Sequence, residues 1–221
     1  MSDALQSWHS RDYAAAWAGE DVIENLLELP RRISSAIVAD AGIAVGHVID
    51  IGSGPGVYLD RFLSDFPDAR GTWTDSSEAM LELARERLAG FGDRVSYELV
   101  DAEKLAEAAL EPADVVVSSR VLHHFSHESL AEVYRAIHAL LVPGGFLFEL
   151  DHVGAPGEWE QVYRRVRDQF TGARRKRLAP HRHDYPLAPV EAHLGWARAA
   201  GFRDPDVPWR TLYTALVLAR R

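Results

Sequence analysis

Short apolar, β-branched runs alternate along this chain with longer stretches whose apolar positions recur every three or four residues. The short runs are His47 to Ile51, Gly71 to Thr74, Val95 to Leu99, Asp114 to Ser118 and Phe146 to Leu150, each of strand length. Between them, Val57 to Asp65, Ser77 to Leu88 (Met80, Leu81, Leu83, Ala84 and Leu88 apolar) and Ser129 to Leu141 (Val133, Ile137, Leu140 and Leu141 apolar) carry helical spacing. Such alternation predicts right-handed crossovers and a mostly parallel sheet with helices on both faces. Near the C-terminus the rhythm changes. Asp206 to Trp209 and Leu212 to Ala219 are separated by only two residues, which permits an antiparallel hairpin but no crossover helix. The expected fold class is therefore α/β, doubly wound, with a mostly parallel seven-stranded sheet ending in an antiparallel hairpin.

No repeat or Ser/Pro-rich linker divides residues 1–221, so a single domain is expected. Two segments lie outside the alternation. The N-terminal stretch to about residue 40 reads as a helical cover, and about 152–188 reads as an insertion over the sheet, a candidate substrate lid. In the insertion Trp159, Val162, Tyr163, Val166 and Phe170 form a helical stripe, followed by the basic run Arg174 to Arg177 and the polar loop Pro180 to Pro186.

Composition narrows the function. The chain has no cysteine, which excludes disulfides, thiolate metal sites and a cysteine nucleophile. Thirty-three acidic against 24 basic residues give a net charge of −9, which opposes general adhesion to nucleic acid or acidic membranes. The longest apolar runs, such as Ala215 to Ala219, are far shorter than the roughly 18 residues needed for a span. No secretion signal is read at Met1 to Leu5, so the expected location is the cytoplasm.

The strongest local signal is Val48-Ile49-Asp50-Ile51-Gly52-Ser53-Gly54-Pro55-Gly56, a buried strand running into a loop with three glycines and then a helix. A nucleotide-like ligand at the strand's C-terminal end is the natural reading; a tight strand-to-helix turn is the plain one. The dinucleotide fingerprint would place its third glycine where this chain has Val57, which disfavours a nicotinamide cofactor and a phosphate cradle. The second strand ends at Asp75-Ser76, where a carboxylate can accept both ribose hydroxyls. The third ends at Asp101-Ala102, suited to an adenine amino group and ring nitrogen. Either aspartate also reads as a helix cap.

Together these residues resemble the class I S-adenosylmethionine-dependent methyltransferases. The likeness is carried by Val48 to Gly56, Asp75, Asp101-Ala102, the strand Asp114 to Ser118 followed by Leu122-His123-His124-Phe125, and Leu141 to Gly145. It covers about residues 45–150 and implies a Rossmann-like fold and S-adenosylmethionine as cofactor, with S-adenosylhomocysteine as product. By that resemblance Asp50, Gly52, Gly54 and Gly56 flank the methionine moiety, Asp75 and Ser76 the ribose, Asp101 and Ala102 the adenine, and Ser118 contacts the cofactor through its backbone. The implied function is methyl transfer to a small-molecule acceptor at O, N or acidic C. The alternatives are a nicotinamide oxidoreductase or a cofactor-binding protein without methyl transfer.

Methyl transfer needs a base only to uncover the acceptor. His123 and His124 follow the fourth strand on the ligand side and are the candidate catalytic residues. Adjacent side chains on a helical turn diverge, so only one of the pair is expected to enter the site. Tyr13, His152, His181, His183 and Tyr185 are the candidate substrate contacts. His181-x-His183-Asp184 lacks the context of an established ligand motif, and no metal is expected.

Overall fold

All five residues of β1 (His47–Ile51) are buried, as a strand covered by helices on both faces requires. The computed structural model describes residues 10–18, 21–171 and 185–221. One seven-stranded sheet is formed, in the order β3-β2-β1-β4-β5-β7-β6. Its other strands are β2 (Arg70–Asp75), β3 (Val95–Leu99), β4 (Ala113–Ser119), β5 (Leu141–His152), β6 (Arg203–Thr211) and β7 (Thr214–Arg220). Strands β1 to β5 pair in parallel, whereas β7 is antiparallel to both β5 and β6. The fold class read from the sequence is the one observed.

Alternating side chains of the strands feed two cores. On one face Val48, Trp73, Val117 and Phe148 pack with residues from α1 (Arg11–Ala18), α2 (Asp21–Asp40), α3 (Val57–Asp65) and α4 (Glu78–Leu88). On the other, Ile49, Ile51, Val116 and Leu147 pack with α5 (His127–Leu140) and α7 (Val190–Ala200). Each fully buried aliphatic side chain contributes about 1.5 to 3 kcal/mol relative to exposure. Helix ends follow local chemistry: Ser77 accepts from Met80 N and caps α4, and Ser126 accepts from Ser129 N and caps α5. A further helix, α6 (Trp159–Thr171), leaves Val162, Tyr163 and Val166 half-buried.

Three boundaries differ from the sequence reading. The hairpin turns at Leu212-Tyr213, with Thr211 opposite Thr214, whereas the apolar run had placed Leu212 in the strand. Leu212 takes a positive φ of 56°, so a bulky apolar residue occupies a turn position that glycine or asparagine ordinarily fills. Strand β6 is longer than expected because its prolines, Pro205 and Pro208, sit on the sheet's edge, where a missing N–H breaks no ladder. Helix α7 was not foreseen: its Gly195 and His193 dilute the apolar stripe, and Pro189 rather than a hydroxyl residue precedes it.

Candidate active site

The C-terminal ends of β1, β2 and β3 carry the glycine loop and its acids. Gly52, Gly54 and Gly56 all have positive φ, at 60°, 55° and 84°. At Gly52 a Cβ would stand 2.4 Å from Val121 Cγ2, and at Gly56 2.9 Å from Leu88 Cδ1. Neighbouring side chains therefore impose glycine at these two positions. The loop is braced from β2: Asp75 Oδ2 accepts from Gly54 N (2.9 Å), Trp73 Nε1 donates to Gly54 O (2.8 Å), and Ser53 N donates to Thr74 O (2.8 Å). Asp75 Oδ1 accepts from Ser77 N at 2.9 Å, and Ser76 is exposed beside it. The carboxylate thus ties two turns together at the end of β2.

Asp50 is 1% exposed. Its Oδ2 accepts from Ser53 Oγ (2.6 Å) and Leu59 N (3.2 Å), while its Oδ1 is buried without a hydrogen-bond partner. Burial drives its pKa up to about 7 against those hydrogen bonds. Asp101 caps the short 3-10 turn Ala102–Glu107 by accepting from Glu103 N at 3.0 Å, with Ala102 buried behind it. The capping role is realised, and one carboxylate oxygen of Asp101 remains outside that bond. Ser118 is buried, with Oγ donating to Ile51 O across the β1–β4 pair at 3.0 Å.

A different construction occupies the ends of β4 and β5. Asp151, 1% exposed, accepts from three backbone amides, those of Val121, His123 and His152, and pairs with His123 Nδ1 at 2.5 Å. Burial raises the pKa of Asp151, opposed by these hydrogen bonds. The rings of His123 and His124 lie 4.1 Å apart between centroids, those of His123 and His152 4.9 Å, and those of His152 and Tyr213 4.9 Å. The expected divergence of His123 from His124 is therefore corrected. Both are buried in one cluster, because the 3-10 turn Leu122–His124 drops back onto the strand ends. Beneath it, Tyr134 of α5 and His193 of α7 converge on the buried Glu149 of β5. Burial would lower the pKa of His193, but the Glu149 carboxylate raises it on balance.

Next to this cluster is a cavity of about 520 Å³. Its walls come from α2, α6, the β6–β7 turn and the ends of β4 and β5, and include Leu26, Leu29, Arg120, His152, Arg167 and Trp209. Tyr213 lies under the guanidiniums of Arg164 and Arg167, 5.2 and 5.0 Å from its ring centroid, and its hydroxyl accepts from Arg167. Of the predicted acceptor contacts, His152 lines the cavity and Tyr185 is exposed outside the lining. His181 and His183 lie outside the described residues, as does the side chain of Tyr13. Sequence reasoning missed Arg120, Arg167, Trp209 and Tyr213, which come from distant segments with no shared motif. The one available signal was the pair of large apolar residues at a hairpin tip. Among the described residues no group of three or more potential ligands could hold a metal ion.

The sheet order and a braced glycine loop with acids on the next two strands form a candidate nucleotide-type site at the C-terminal ends of three parallel strands. Residues 48–145 match the family model described as a methyltransferase domain, so the class resemblance drawn from the sequence holds over that stretch. A ubiquinone biosynthesis O-methyltransferase of Pseudomonas aeruginosa is 38% identical over 111 residues, which is 49% of this chain and 45% of that protein. A polyketide synthase-nonribosomal peptide synthetase of Aspergillus clavatus is 31% identical over 130 residues, 51% of this chain and 3% of that protein. The chain thus spans less than half the length of these curated relatives. In fold it is similar to an O-methyltransferase family protein from Burkholderia thailandensis, with a TM-score of 0.71, 21% identity, and coverage of 94% of this chain and 59% of that one.

Proposed function

We propose that this protein is an S-adenosylmethionine-dependent methyltransferase acting on a small-molecule acceptor. The observation that carries this reading is the convergence of the positive-φ glycine loop, Asp75 and Asp101 at the ends of three adjacent parallel strands, within the stretch that matches the methyltransferase domain. The residues fit the cofactor. Asp50 Oδ1 is a buried acceptor without a partner, suited to the amino group of a methionine moiety, and Asp75 offers a carboxylate to a ribose diol. Asp101 and the Ala102 amide stand where an adenine edge can be read, and Ser118 closes the floor. The bound cofactor supplies an electrophilic methyl group on a sulfonium.

The remaining chemistry falls to the histidine cluster. With Nδ1 of His123 held by Asp151, Nε2 is the basic nitrogen, and the buried carboxylate stabilises the imidazolium formed when it takes the acceptor's proton. His124 packs against that ring and His152 faces the acceptor. Helices α1 and α2 and the described part of the 152–188 insertion, α6 with Tyr185, are assigned as the cover of the acceptor; the contacts expected at Tyr13, His181 and His183 fall on side chains outside the described residues. No helix among the described residues is long and apolar enough to cross a membrane. A small-molecule enzyme of the cytoplasm, without nucleic-acid or membrane partners, fits the chain's net charge of −9.

Titration calorimetry with S-adenosylhomocysteine, paired with a mass-spectrometric screen for products heavier by one methylene, tests the proposal. Micromolar binding and a methylated product are expected. Binding without any product would support the non-catalytic alternative, and a preference for NADH would support the oxidoreductase.

A further inference from the structure

The peptide joining Gly54 to Pro55 sits in the middle of the glycine loop and differs chemically from its neighbours. Pro55 has no N–H, so this peptide carries an acceptor and no donor. Gly54 is buried, and a buried carbonyl needs a donor. The donor here is a side chain of β2: Trp73 Nε1 lies 2.8 Å from Gly54 O.

Trp73 is fully buried and held from several sides. The parallel register sets it opposite Asp50 of β1 and Tyr97 of β3, and its ring meets that of Tyr97 at 6.0 Å between centroids. It packs in the same core cluster as Leu59, Met80 and Leu88, and Leu88 is the residue that imposes glycine at position 56. Two neighbouring side chains of one sheet face therefore reach the loop, Asp50 through Ser53 Oγ and Trp73 through Gly54 O. On its other side Gly54 N donates to Asp75 Oδ2. Gly54 is thus gripped at both amide and carbonyl by two residues of one strand. A buried strand position that needs only volume is served by Leu, Ile or Phe, with no polar atom to satisfy. At Trp73 the polar atom is spent on the loop.

We propose that Trp73 is a positioning residue of the cofactor site: its indole N–H fixes the Gly54–Pro55 peptide with the carbonyl turned into the core, so that the loop meets S-adenosylmethionine already in its binding conformation. The inference rests on the cofactor reading given above. Gly54 has a φ of 55°, and glycine exchanges readily between positive and negative φ. The indole removes that freedom before the ligand arrives, and ordering completed in advance is not charged against binding.

Replacing Trp73 by benzothienylalanine, which exchanges the indole N–H for sulfur at nearly unchanged shape, isolates the hydrogen bond. Calorimetry should show S-adenosylhomocysteine weakened about fivefold or more, the worth of one such bond, and Trp73→Phe should weaken it at least as much. Phe148→Leu, a cut in the same core cluster, should leave affinity within about twofold, whatever it costs in urea unfolding. In isotope-labelled wild-type protein, the Trp73 indole N–H resonance should shift when S-adenosylhomocysteine saturates the site, a measurement that needs no variant to fold. Wild-type affinity in the benzothienylalanine protein, an equal loss in Phe148→Leu, or an indole resonance unmoved by ligand would overturn the proposal. No S-adenosylhomocysteine binding by the wild type sinks the cofactor reading and the brace with it. Binding that the wild type shows and the benzothienylalanine protein keeps in full sinks only the brace.

Discussion

The two ends of the ligand edge hold their carboxylates in different ways. At β1 to β3, Asp75 and Asp101 are half-buried and spend their hydrogen bonds on the amides of turns, Gly54 and Ser77 for one and Glu103 for the other. At β4 and β5, Asp151 and Glu149 are 1% exposed; Asp151 adds to three backbone amides the His123 ring, and Glu149 binds Tyr134 and His193 from two helices. The first end is local and solvent-facing; the second is long-range and dry. Equivalent substitutions should therefore act on ligand affinity at one end and on folding at the other.

The largest expected effect is at the dry end. Asp151→Ala strands His123 and three amides, and breaking such a buried pair costs about 3 to 5 kcal/mol. Urea unfolding should show that loss, and a change under about 1 kcal/mol would put Asp151 on the solvent-facing side of the comparison.

Next comes pH. The folded pKa of Asp50, raised by burial from 3.8 to about 7, means that the folded chain keeps a proton which the unfolded chain releases. The associated stability is complete below the unfolded value near 3.8 and is lost as pH rises through about 7. At about 1.4 kcal/mol per unit the decline amounts to a few kcal/mol. Asp50→Asn should flatten it when unfolding free energy is followed from pH 4 to 8. The raised pKa of His193 gives the same sign, with stability present below its ordinary 6.5 and lost as pH rises through the folded value. A residual slope in Asp50→Asn that His193→Asn removes would assign the remainder to the dry end.

Asp75→Ala is the solvent-facing counterpart of Asp151→Ala. It should weaken S-adenosylhomocysteine by on the order of 1.5 to 3 kcal/mol, with a smaller loss of fold stability, and unchanged affinity in calorimetry would remove Asp75 from the site. The smallest contrast is a control at the helix starts. Ser77→Ala and Ser126→Ala remove the caps of α4 and α5, and each should cost about 1 kcal/mol in urea unfolding. A clear inequality would show that the halves differ in more than their carboxylates.

The same contrast explains what was legible in the sequence. Strands β1 and β3 and helix α3 appear with the bounds that periodicity predicts, and the mostly parallel sheet with its antiparallel hairpin follows from the βαβ rhythm and its break near the C-terminus. The glycine loop, Asp75 and Asp101 are readable because their chemistry sits at the ends of consecutive strands, where spacing along the chain reflects spacing in space. Arg120, Arg167 and Tyr213 meet only after the sheet has closed, from β4, α6 and the hairpin tip, and no local pattern links them. Leu212 and Tyr213 were misread as strand because apolar content normally signals burial in a ladder, and here it signals a turn facing a cavity. His193 was hidden for a related reason: its partner Glu149 lies on a strand and its own helix has a weak stripe.

The antiparallel hairpin gives these two ends different evolutionary freedom. In the parallel half the loops after β1, β2 and β4 lead into α3, α4 and α5, so an insertion there displaces a helix from the core and disturbs the braced glycine loop. The β6–β7 tip is closed by two residues between strands at the sheet's edge, and its length and side chains can change without moving any helix. Selection can therefore retool the cavity wall at residues 211–214 while the loop at residues 52–56 is inherited intact, so that one scaffold can reshape this cavity by successive small exchanges.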